Sequence, residues 1–283
     1  MDTTNPVKQA FEVLNQGVTD LIKSEGWETY LTAQATLHNY SFHNAFWLMI
    51  QGSQREVRVS HFAGFQSWKK LDRHVKKGEV SFKVLAPCSY KREVEKDEGS
   101  SETVSGIAGF KVVSVFDVSQ TDGKPLPVIA KTLTEESTEA RATFAKLAAW
   151  SVSRGVSVTR EDAKGPNGFY SRTDNRIVVD EKLSDVQSLK TLAHEVAHSI
   201  LHATDEGDSR GTKEVEAEST AFVVLHALGF NSGEYSFGYI ASWSEGKPEA
   251  VKAVATRVQK AAKQILDVLL VKEEEREEES VAA

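Results

Sequence analysis

Two histidines and a glutamate at fixed spacing constrain this chain more than any other feature of its sequence. The segment 191–202 reads TLAHEVAHSILH and contains His194, Glu195 and His198. On an α-helix, residues four apart share one face, so both imidazoles can bind a single metal ion. Glu195 follows the first histidine and can reach a water molecule beside that ion. The spacing predicts a zinc site on a helix, with a solvated surface helix as the alternative.

The helix itself is predicted by features that do not involve the histidines. Ser184 is a favoured N-cap, and Gln187, three residues later, completes a capping box. Apolar residues then recur at helical spacing as far as Leu201. We therefore expect one face of this helix to be buried, with the histidines near its edge.

A catalytic zinc site usually has a third protein ligand. His202 continues the four-residue series, but three side chains on one straight helix spread over about 12 Å, so we expect His202 to face the helix-end dipole instead.

Glu214 and Glu218 lie one turn apart on a second apolar helix. We predict Glu214 as the ligand and Glu218 as the hydrogen-bond partner of a ligand histidine, with the reverse left open. Glu216 points away from Glu218 and is predicted to be solvated. An acidic first turn that complements the helix dipole is the alternative reading of these glutamates.

Hydrolysis of a peptide bond is the chemistry that these ligands predict, with a protein as the substrate. Zinc would polarise a carbonyl and lower the pKa of a water molecule, and Glu195 would take a proton from that water. Mn²⁺ is the alternative ion. Tyr170, on a predicted hairpin, is a candidate for contact with substrate or an oxyanion, and packing within the fold is its alternative role.

Composition limits the architecture and the compartment. The chain has 283 residues, one cysteine and 40% hydrophobic residues, which is enough for two domains with cores of their own. A single cysteine excludes an internal disulfide and a cysteine-based zinc site. No apolar run is long enough to cross a membrane, and the N-terminus lacks the pattern of a signal peptide. We therefore expect a cytoplasmic protein with no membrane partner.

Charge is distributed unevenly along the chain. The net charge is −7, but residues 273–279 alone carry six acids against one base. Between Gln51 and Arg92, ten lysines and arginines face three acidic residues. Basic residues interleaved with aromatic rings suit single-stranded nucleic acid, because cations follow the phosphates and rings stack on bases. A merely solvated basic face is the alternative. The candidate DNA contacts are Phe65, Trp68, Lys69, Arg73, Lys76, Lys77 and Lys83.

A series of short motifs lies between Trp27 and Pro127. They are Tyr40-Ser41 with Asn44, 63–71 (AGFQSWKKL), Arg73 with 75–79 (VKKGE), 84–87 (VLAP), 115–123 (VFDVSQTDG) and Leu126-Pro127. Together these motifs resemble the N-terminal single-stranded-DNA-binding domain of the ArdC antirestriction family. The sequence departs from the family pattern at Asp72, where a glycine is usual. In this family the partner domain is a zincin-like metallopeptidase related to the ImmA/IrrE group. The resemblance implies single-stranded DNA as a partner and a role in protecting the entering DNA of a mobile element or phage from restriction.

The predicted fold class is α+β, with an N-terminal α/β single-stranded-DNA-binding domain followed by a zincin-like metallopeptidase domain. Residues 93–105 are predicted to be a loop because they lack apolar periodicity, and 235–243 a short aromatic helix. Three functions stay open: a DNA-binding antirestriction factor, a working protease that cleaves a DNA-associated protein, and a structural protein with a vestigial metal site. The predicted boundaries are 1–127 for the first domain, 128–134 for a linker, 135–271 for the second domain and 272–283 for an acidic disordered tail.

Overall fold

The protein is described from a computed structural model. Its contacts divide the chain into two compact units, Met1–Thr19 with His43–Leu126 and Asp20–Phe42 with Pro127–Ala283. The domain boundaries given above stay predictions, and these contacts associate residues 20–42 with the C-terminal unit. The predicted linker and tail lie outside the described residues, as does the predicted helix at 235–243 apart from Trp243. The structure describes residues 5–23, 26–96, 100–126, 136–204, 209–230 and 243–270, with the backbone alone at 92–96 and 100–104.

Helices and strands alternate irregularly along the chain, and the expected α+β class is confirmed. The described elements are α1 (Pro6–Lys23), α2 (Trp27–Thr36), α3 (Phe42–Gln54), β1 (Phe62–Ala63), α4 (Phe65–Lys70), β2 (Arg73–Val75), β3 (Phe82–Lys96), β4 (Ser100–Asp117), a 3₁₀ turn (Val118–Gln120), β5 (Thr121–Gly123), α5 (Thr138–Ser153), β6 (Ser157–Glu161), β7 (Gly168–Ser171), β8 (Arg176–Asp180), α6 (Asp185–Leu201), α7 (Arg210–Ala227) and α8 (Pro248–Leu269).

A long antiparallel hairpin of β3 and β4 dominates the N-terminal unit. Its pairing runs from Phe82 opposite Val115 to Lys96 opposite Ser100, with a register shift at Cys88 and Ser89. The prediction of a loop at 93–105 is therefore wrong for the described residues. Strands pair through backbone hydrogen bonds, which do not depend on the apolar periodicity whose lack led to the loop prediction.

Helix α3 protects the free edge of β3 with two side-chain amides. Gln51 accepts from the Lys83 N–H at 2.9 Å and donates to the Lys83 carbonyl at 2.8 Å. Asn44 likewise accepts from the Leu85 N–H at 2.8 Å and donates to the Leu85 carbonyl at 2.9 Å. These amides take the place of a neighbouring strand and satisfy backbone groups that would otherwise be unpaired. Asn44, one of the residues that carry the family resemblance, therefore has a structural role.

The turn between α4 and β2 requires an unusual backbone conformation. Asp72 has a φ of 56°, in the left-handed region. Glycine adopts this region without a steric penalty, and aspartate is one of the few other residues that tolerate it. This conformation gives a physical reason for the glycine that is usual at this position in the resembling family.

The C-terminal unit places helices against a three-stranded sheet. The strand order is β6-β8-β7, with β8 parallel to β6 and antiparallel to β7. The central strand β8 is fully buried at Ile177, Val178 and Val179, and the predicted hairpin of β7 and β8 is confirmed. Helix α6 contacts β7, β8, α5, α7 and α8. Its N-cap is Ser184, which accepts from the Gln187 N–H as predicted.

The edge strand β7 approaches α6 closely at Gly168. A Cβ atom at this position would lie 2.6 Å from Cγ2 of Thr191 and 2.6 Å from the carbonyl oxygen of Val178. The Val178 carbonyl oxygen belongs to the backbone of the central strand β8 and cannot move without shifting the sheet, and Thr191 is 7% exposed, so its methyl group has little room to turn away. Glycine therefore sets the distance between this strand and the helix that carries the HExxH motif.

Gly168→Ala is expected to lower the free energy of unfolding by about 1 to 3 kcal/mol because it overpacks this contact. Urea unfolding followed by circular dichroism measures the change. Gly211→Ala in the first turn of α7 is the matched control, since the nearest atom to its Cβ would be Oγ of Ser209 at 3.8 Å. The control is expected to be neutral or stabilising by up to about 1 kcal/mol. Equal unfolding free energies for the two variants would contradict this account.

Candidate metal centre

Helices α6 and α7 bring three candidate ligands to one point. The Nε2 atoms of His194 and His198 lie 3.1 Å apart. Oε2 of Glu214 lies 3.5 Å from Nε2 of His194 and 3.7 Å from Nε2 of His198. The three residues thus form a group whose ligand atoms all lie within 4.8 Å of one another.

The geometry of this group fits a divalent metal ion. Nitrogen and oxygen ligands bind zinc at about 2.0 to 2.2 Å, which places tetrahedral ligand atoms about 3.4 Å from each other. The observed separations of 3.1 to 3.7 Å bracket that value. The two imidazoles and one carboxylate also make up the donor set of an open site, in which a fourth position is left for water or substrate.

Glu218 lies behind one of the ligands rather than among them. Its Oε2 is 3.0 Å from Nδ1 of His194, the ring nitrogen that faces away from the ligand cluster. Lys190 lies 3.5 Å from the other carboxylate oxygen. Burial would raise the pKa of Glu218, but the bond to His194 and the charge of Lys190 outweigh burial and lower it. The structure thus places Glu214 beside both imidazoles and Glu218 behind His194, the arrangement that the sequence predicted with the reverse left open.

Glu195 is held inside the site next to the ligands. Its side chain is buried, with 7% of the residue exposed, and burial raises its pKa. His194, His198 and the backbone N–H of Tyr170 act in the opposite direction. A carboxylate with a raised pKa is a better proton acceptor near neutral pH than an exposed one.

Tyr170 forms part of the wall of the site. Its hydroxyl donates to Oδ1 of Asn175 at 2.9 Å, within the β7–β8 hairpin. Its backbone N–H, on the edge strand, is the group that faces Glu195. A contact between the Tyr170 side chain and a substrate stays a prediction.

A cavity of about 620 Å³ opens over the ligands and is large enough for a short stretch of extended peptide. The wall includes the edge strand β7, the first turns of α7 and the HExxH face of α6. The lining residues are Pro166, Gly168, Phe169, Tyr170, Arg172, His194, Glu195, His198, His202, Arg210, Lys213 and Glu214.

The predictions for Glu216 and His202 need correction. Glu216 is fully buried rather than solvated, and Arg257 of α8 donates to its carboxylate at 2.6 Å. His202 is 6% exposed and contacts both His198 and Glu216 instead of only facing the helix end. Helix α8 contacts α7 and supplies the partner that allows the Glu216 charge to be buried. In the sequence, the only indication of this hydrogen-bond network was that His202 follows His194 and His198 at the same four-residue interval.

The residues predicted to contact DNA fall into two groups. Trp68 is 2% exposed and its Nε1 donates to the Phe116 carbonyl at 2.9 Å, so the prediction that it stacks on bases is wrong. Arg73 donates to Oγ1 of Thr121 at 2.8 Å and to the carbonyl oxygen of Lys124. Lys83 donates to two serine hydroxyls, at 2.9 and 2.8 Å. These three side chains form hydrogen bonds within the N-terminal unit and stabilise its fold.

The second group is open to solvent. Phe65 is 53% exposed and lies four residues before Lys69, on the same face of α4. Lys69 and Lys77 are exposed, and within the described part of the chain neither side chain makes a hydrogen bond or an ion pair. Lys76 is exposed and donates to the Ser119 carbonyl at 2.9 Å. An exposed aromatic ring beside lysines is the arrangement that single-stranded nucleic acid requires.

Fold and site together define a two-unit α+β protein with an HExxH helix in its second unit. The family model of the N-terminal domain of the anti-restriction factor ArdC matches residues 7–116. The family model of the IrrE N-terminal-like domain matches residues 153–234. The chain is therefore an ArdC-like protein with an IrrE-like domain, as its motifs predicted.

The fold is similar to that of the antirestriction ArdC protein from the R388 plasmid, for which two crystal structures are known. The metal-free structure has a TM-score of 0.51 at 22% identity and covers 81% of this chain and 83% of that chain. The Mn(II)-bound structure has a TM-score of 0.50 at 23% identity and covers 90% of this chain and 98% of that chain. These likenesses show a shared fold.

A curated relative is an uncharacterized protein of Bacillus anthracis, 25% identical over 223 residues. The match covers 65% of this chain but only 38% of the relative, so the chain spans about two fifths of that protein. Among the described residues, no helix is long and apolar enough to cross a membrane.

Protons compete with metal at this centre through His194. Burial is the largest influence on this histidine and would lower its pKa, but hydrogen bonds with Glu214 and Glu218 outweigh burial and raise the pKa of His194 to about 9. The neighbouring imidazoles of His194 and His198 hold the pKa of Glu214 well below its usual range. A metal ion must therefore displace a proton from His194 at any pH below about 9.

The affinity for a divalent ion is expected to rise by about tenfold per pH unit as one proton is displaced, and to level off near pH 9. Competition with a chelator of known affinity, between pH 6.5 and 9.5, measures this dependence. Glu218→Gln removes one of the carboxylates that raise the pKa, so in that variant the affinity is expected to level off at a lower pH. An affinity that is constant between pH 7 and pH 9 in the unmodified protein would contradict this prediction.

Proposed function

We propose that this chain is an antirestriction protein of a mobile element or phage that binds single-stranded DNA through its N-terminal unit and carries a metal-dependent peptidase site in its C-terminal unit. The ArdC-type N-terminal domain supports the antirestriction role. The observation that carries the peptidase half is the convergence of His194, His198 and Glu214 on one point, with Glu195 buried beside them.

The residues of the site suit peptide-bond hydrolysis. A divalent ion bound there would supply a Lewis acid that polarises the substrate carbonyl and acidifies water. Glu195 would accept the proton from that water and pass it to the leaving nitrogen. The backbone N–H of Tyr170 holds the Glu195 carboxylate in place, and Glu218 orients His194. Among the described residues β7 is an edge strand in the cavity wall, so an extended peptide could pair along it beside the Tyr170 N–H that faces Glu195.

Zinc is our first choice for the ion and manganese our second. Two imidazoles and a carboxylate are a common set of ligands for catalytic zinc. Manganese is supported by the related ArdC protein of the R388 plasmid, for which an Mn(II)-bound structure is known. Both ions accept this donor set, so the geometry of the ligands does not favour one over the other.

The DNA-binding surface that we propose consists of Phe65, Lys69, Lys76 and Lys77. Phe65 offers an exposed ring for base stacking, and the lysines offer charge to the phosphates. This surface lies within the segment 51–92, in which basic residues outnumber acidic ones by ten to three. Trp68, Arg73 and Lys83, which the sequence also predicted to contact DNA, are not part of this surface.

Proteolysis of a DNA-associated protein is the second candidate function, favoured by the completeness of the site. If proteolysis is the protective activity, Glu195→Gln is expected to abolish both peptide cleavage and protection of DNA from restriction. The variant should still bind metal, because Glu195 is not among the three ligands. Cleavage of denatured casein, metal analysis and transfer of unmodified DNA into a restricting host measure the three properties.

Two comparisons make this experiment decisive. Glu181→Gln, an exposed isosteric change outside the cavity, is the control and should alter none of the three properties. Protection that survives Glu195→Gln while cleavage is lost would show that hydrolysis is not the protective activity. Cleavage that survives Glu195→Gln would refute the role of Glu195 as general base.

Phe65→Ala is expected to weaken binding of a labelled single-stranded oligonucleotide by about 5- to 150-fold, because one stacked base contributes about 1 to 3 kcal/mol. Lys69→Ala with Lys77→Ala is expected to reduce the slope of log affinity against log salt by about 1.4, for two lost phosphate contacts. Fluorescence anisotropy at several salt concentrations measures both effects.

Val80→Ala is the matched control for Phe65→Ala. Val80 is 68% exposed in the same unit but has no aromatic ring, so its loss should leave DNA affinity unchanged. Unchanged binding in both the Phe65 and the lysine variants would remove the proposed surface. Equal affinity of the unmodified protein for single- and double-stranded DNA would argue against stacking on unpaired bases.

A further inference from the structure

A line of three buried contacts leads away from His198, on the side opposite to the ligand cluster. Nδ1 of His198 lies 2.9 Å from Nδ1 of His202, and Nε2 of His202 lies 2.9 Å from Oε2 of Glu216. Nε of Arg257 lies 2.6 Å from Oε1 of Glu216. Glu216 is 0% exposed and His202 6% exposed, so the hydrogen bond between these two residues is shielded from water.

The chemistry of the last member fixes the direction of every hydrogen bond in this line. The Glu216 carboxylate is paired with the Arg257 guanidinium and can only accept, so Nε2 of His202 must carry a proton and donate. The Arg257 guanidinium already balances the Glu216 charge, so His202 needs no second proton; its Nδ1 then has a lone pair, which accepts the proton carried by Nδ1 of His198. His198 is left with a lone pair on Nε2, the atom that points into the ligand cluster.

The opposite assignment would disable the site. If Nδ1 of His202 donated to His198, Nδ1 of His198 would have to be the acceptor, and a neutral His198 would carry its proton on Nε2. That nitrogen could not bind a metal ion. The buried carboxylate therefore selects, through His202, the one tautomer of His198 that can act as a ligand.

We propose that His202, Glu216 and Arg257 form a positioning relay that fixes the tautomer and ring orientation of His198 and thereby strengthens metal binding. The inference rests on the proposed metal centre and adds three residues to it. It also gives α8 a part in the site, because Arg257 lies on that helix and the other relay residues lie on or next to α6 and α7.

The two ligand histidines are thus supported in different ways. His194 contacts a carboxylate directly, that of Glu218 at 3.0 Å. His198 reaches its carboxylate through a second imidazole. The partner of a ligand histidine typically changes metal affinity by 10- to 100-fold when it is removed, and we expect the relay to act in this range even though it operates through an intermediate ring.

The first test uses the unmodified protein without metal. Two-bond ¹⁵N–¹H spectra of protein labelled with ¹⁵N-histidine distinguish protonated from unprotonated ring nitrogens. His198 is expected to be protonated at Nδ1 only and His202 at Nε2 only. Proton placement on Nε2 of His198, or on Nδ1 of His202, would overturn the proposal. His202→Gln and His198→Gln each remove one set of signals and so assign the spectrum.

The second test compares variants on the two sides of the centre. Glu216→Gln and Arg257→Gln are expected to bind Zn²⁺ and Mn²⁺ about 10- to 100-fold more weakly in chelator competition, and to lose the single tautomer of His198. Glu218→Gln should also weaken metal binding but leave the tautomers of His198 and His202 unchanged. Exposed His226→Gln should change neither property.

These outcomes separate the relay from the metal centre itself. If the unmodified protein binds neither ion, the proposed centre fails while the metal-free spectra still test the relay. If it binds both ions and the Glu216 and Arg257 variants bind them as tightly, the relay is refuted. Should neither Glu216→Gln nor Arg257→Gln fold, His202→Phe carries the test, because it breaks the relay and leaves the buried Glu216 paired with Arg257.

Discussion

The contact between α6 and α7 is the interaction on which the rest of this site depends. Two of the candidate ligands lie on the first helix and the third on the second, so the register between the helices sets the 3.5 and 3.7 Å distances to Glu214. Both helices carry fully buried alanines, at Ala193 and Ala197 and at Ala217 and Ala221. Small buried side chains allow helix axes to approach closely and leave few alternative registers.

Buried charge follows from this packing and is tolerated because the two buried glutamates have partners. Glu218 is paired with His194 and Lys190, and Glu216 with His202 and Arg257. Removal of one partner from such a pair leaves an uncompensated charge in a low-dielectric interior, which is strongly destabilising. The same contacts orient the imidazoles. The ion pairs that allow these glutamates to be buried therefore also point the ligand nitrogens towards a cation.

In the N-terminal unit, Trp68 belongs to a motif that was recognised from the sequence, but its predicted role in DNA binding was wrong. Phe65 and Trp68 lie three residues apart in α4, yet the first ring is 53% exposed and the second 2%. Helical spacing groups both rings on one side of the helix, and a helix of six residues is too short for the sequence to show which ring faces the sheet. The hydrogen bond from Trp68 to the Phe116 carbonyl shows that β4 covers the tryptophan.

The sequence by itself determined whatever depends on local spacing. Caps and periodicity located α6, the four-residue interval placed His194 and His198 on one face, and the interval between Glu214 and Glu218 anticipated two carboxylates on a neighbouring helix. Only the tertiary structure decided what covers each face: Glu216 meets Arg257 from 41 residues away, and the polar strands around residues 93–105 pair through their backbones. Local geometry is repeated at every turn of a helix and can be read from the chain. Partners distant in sequence are selected by packing, which no local pattern records.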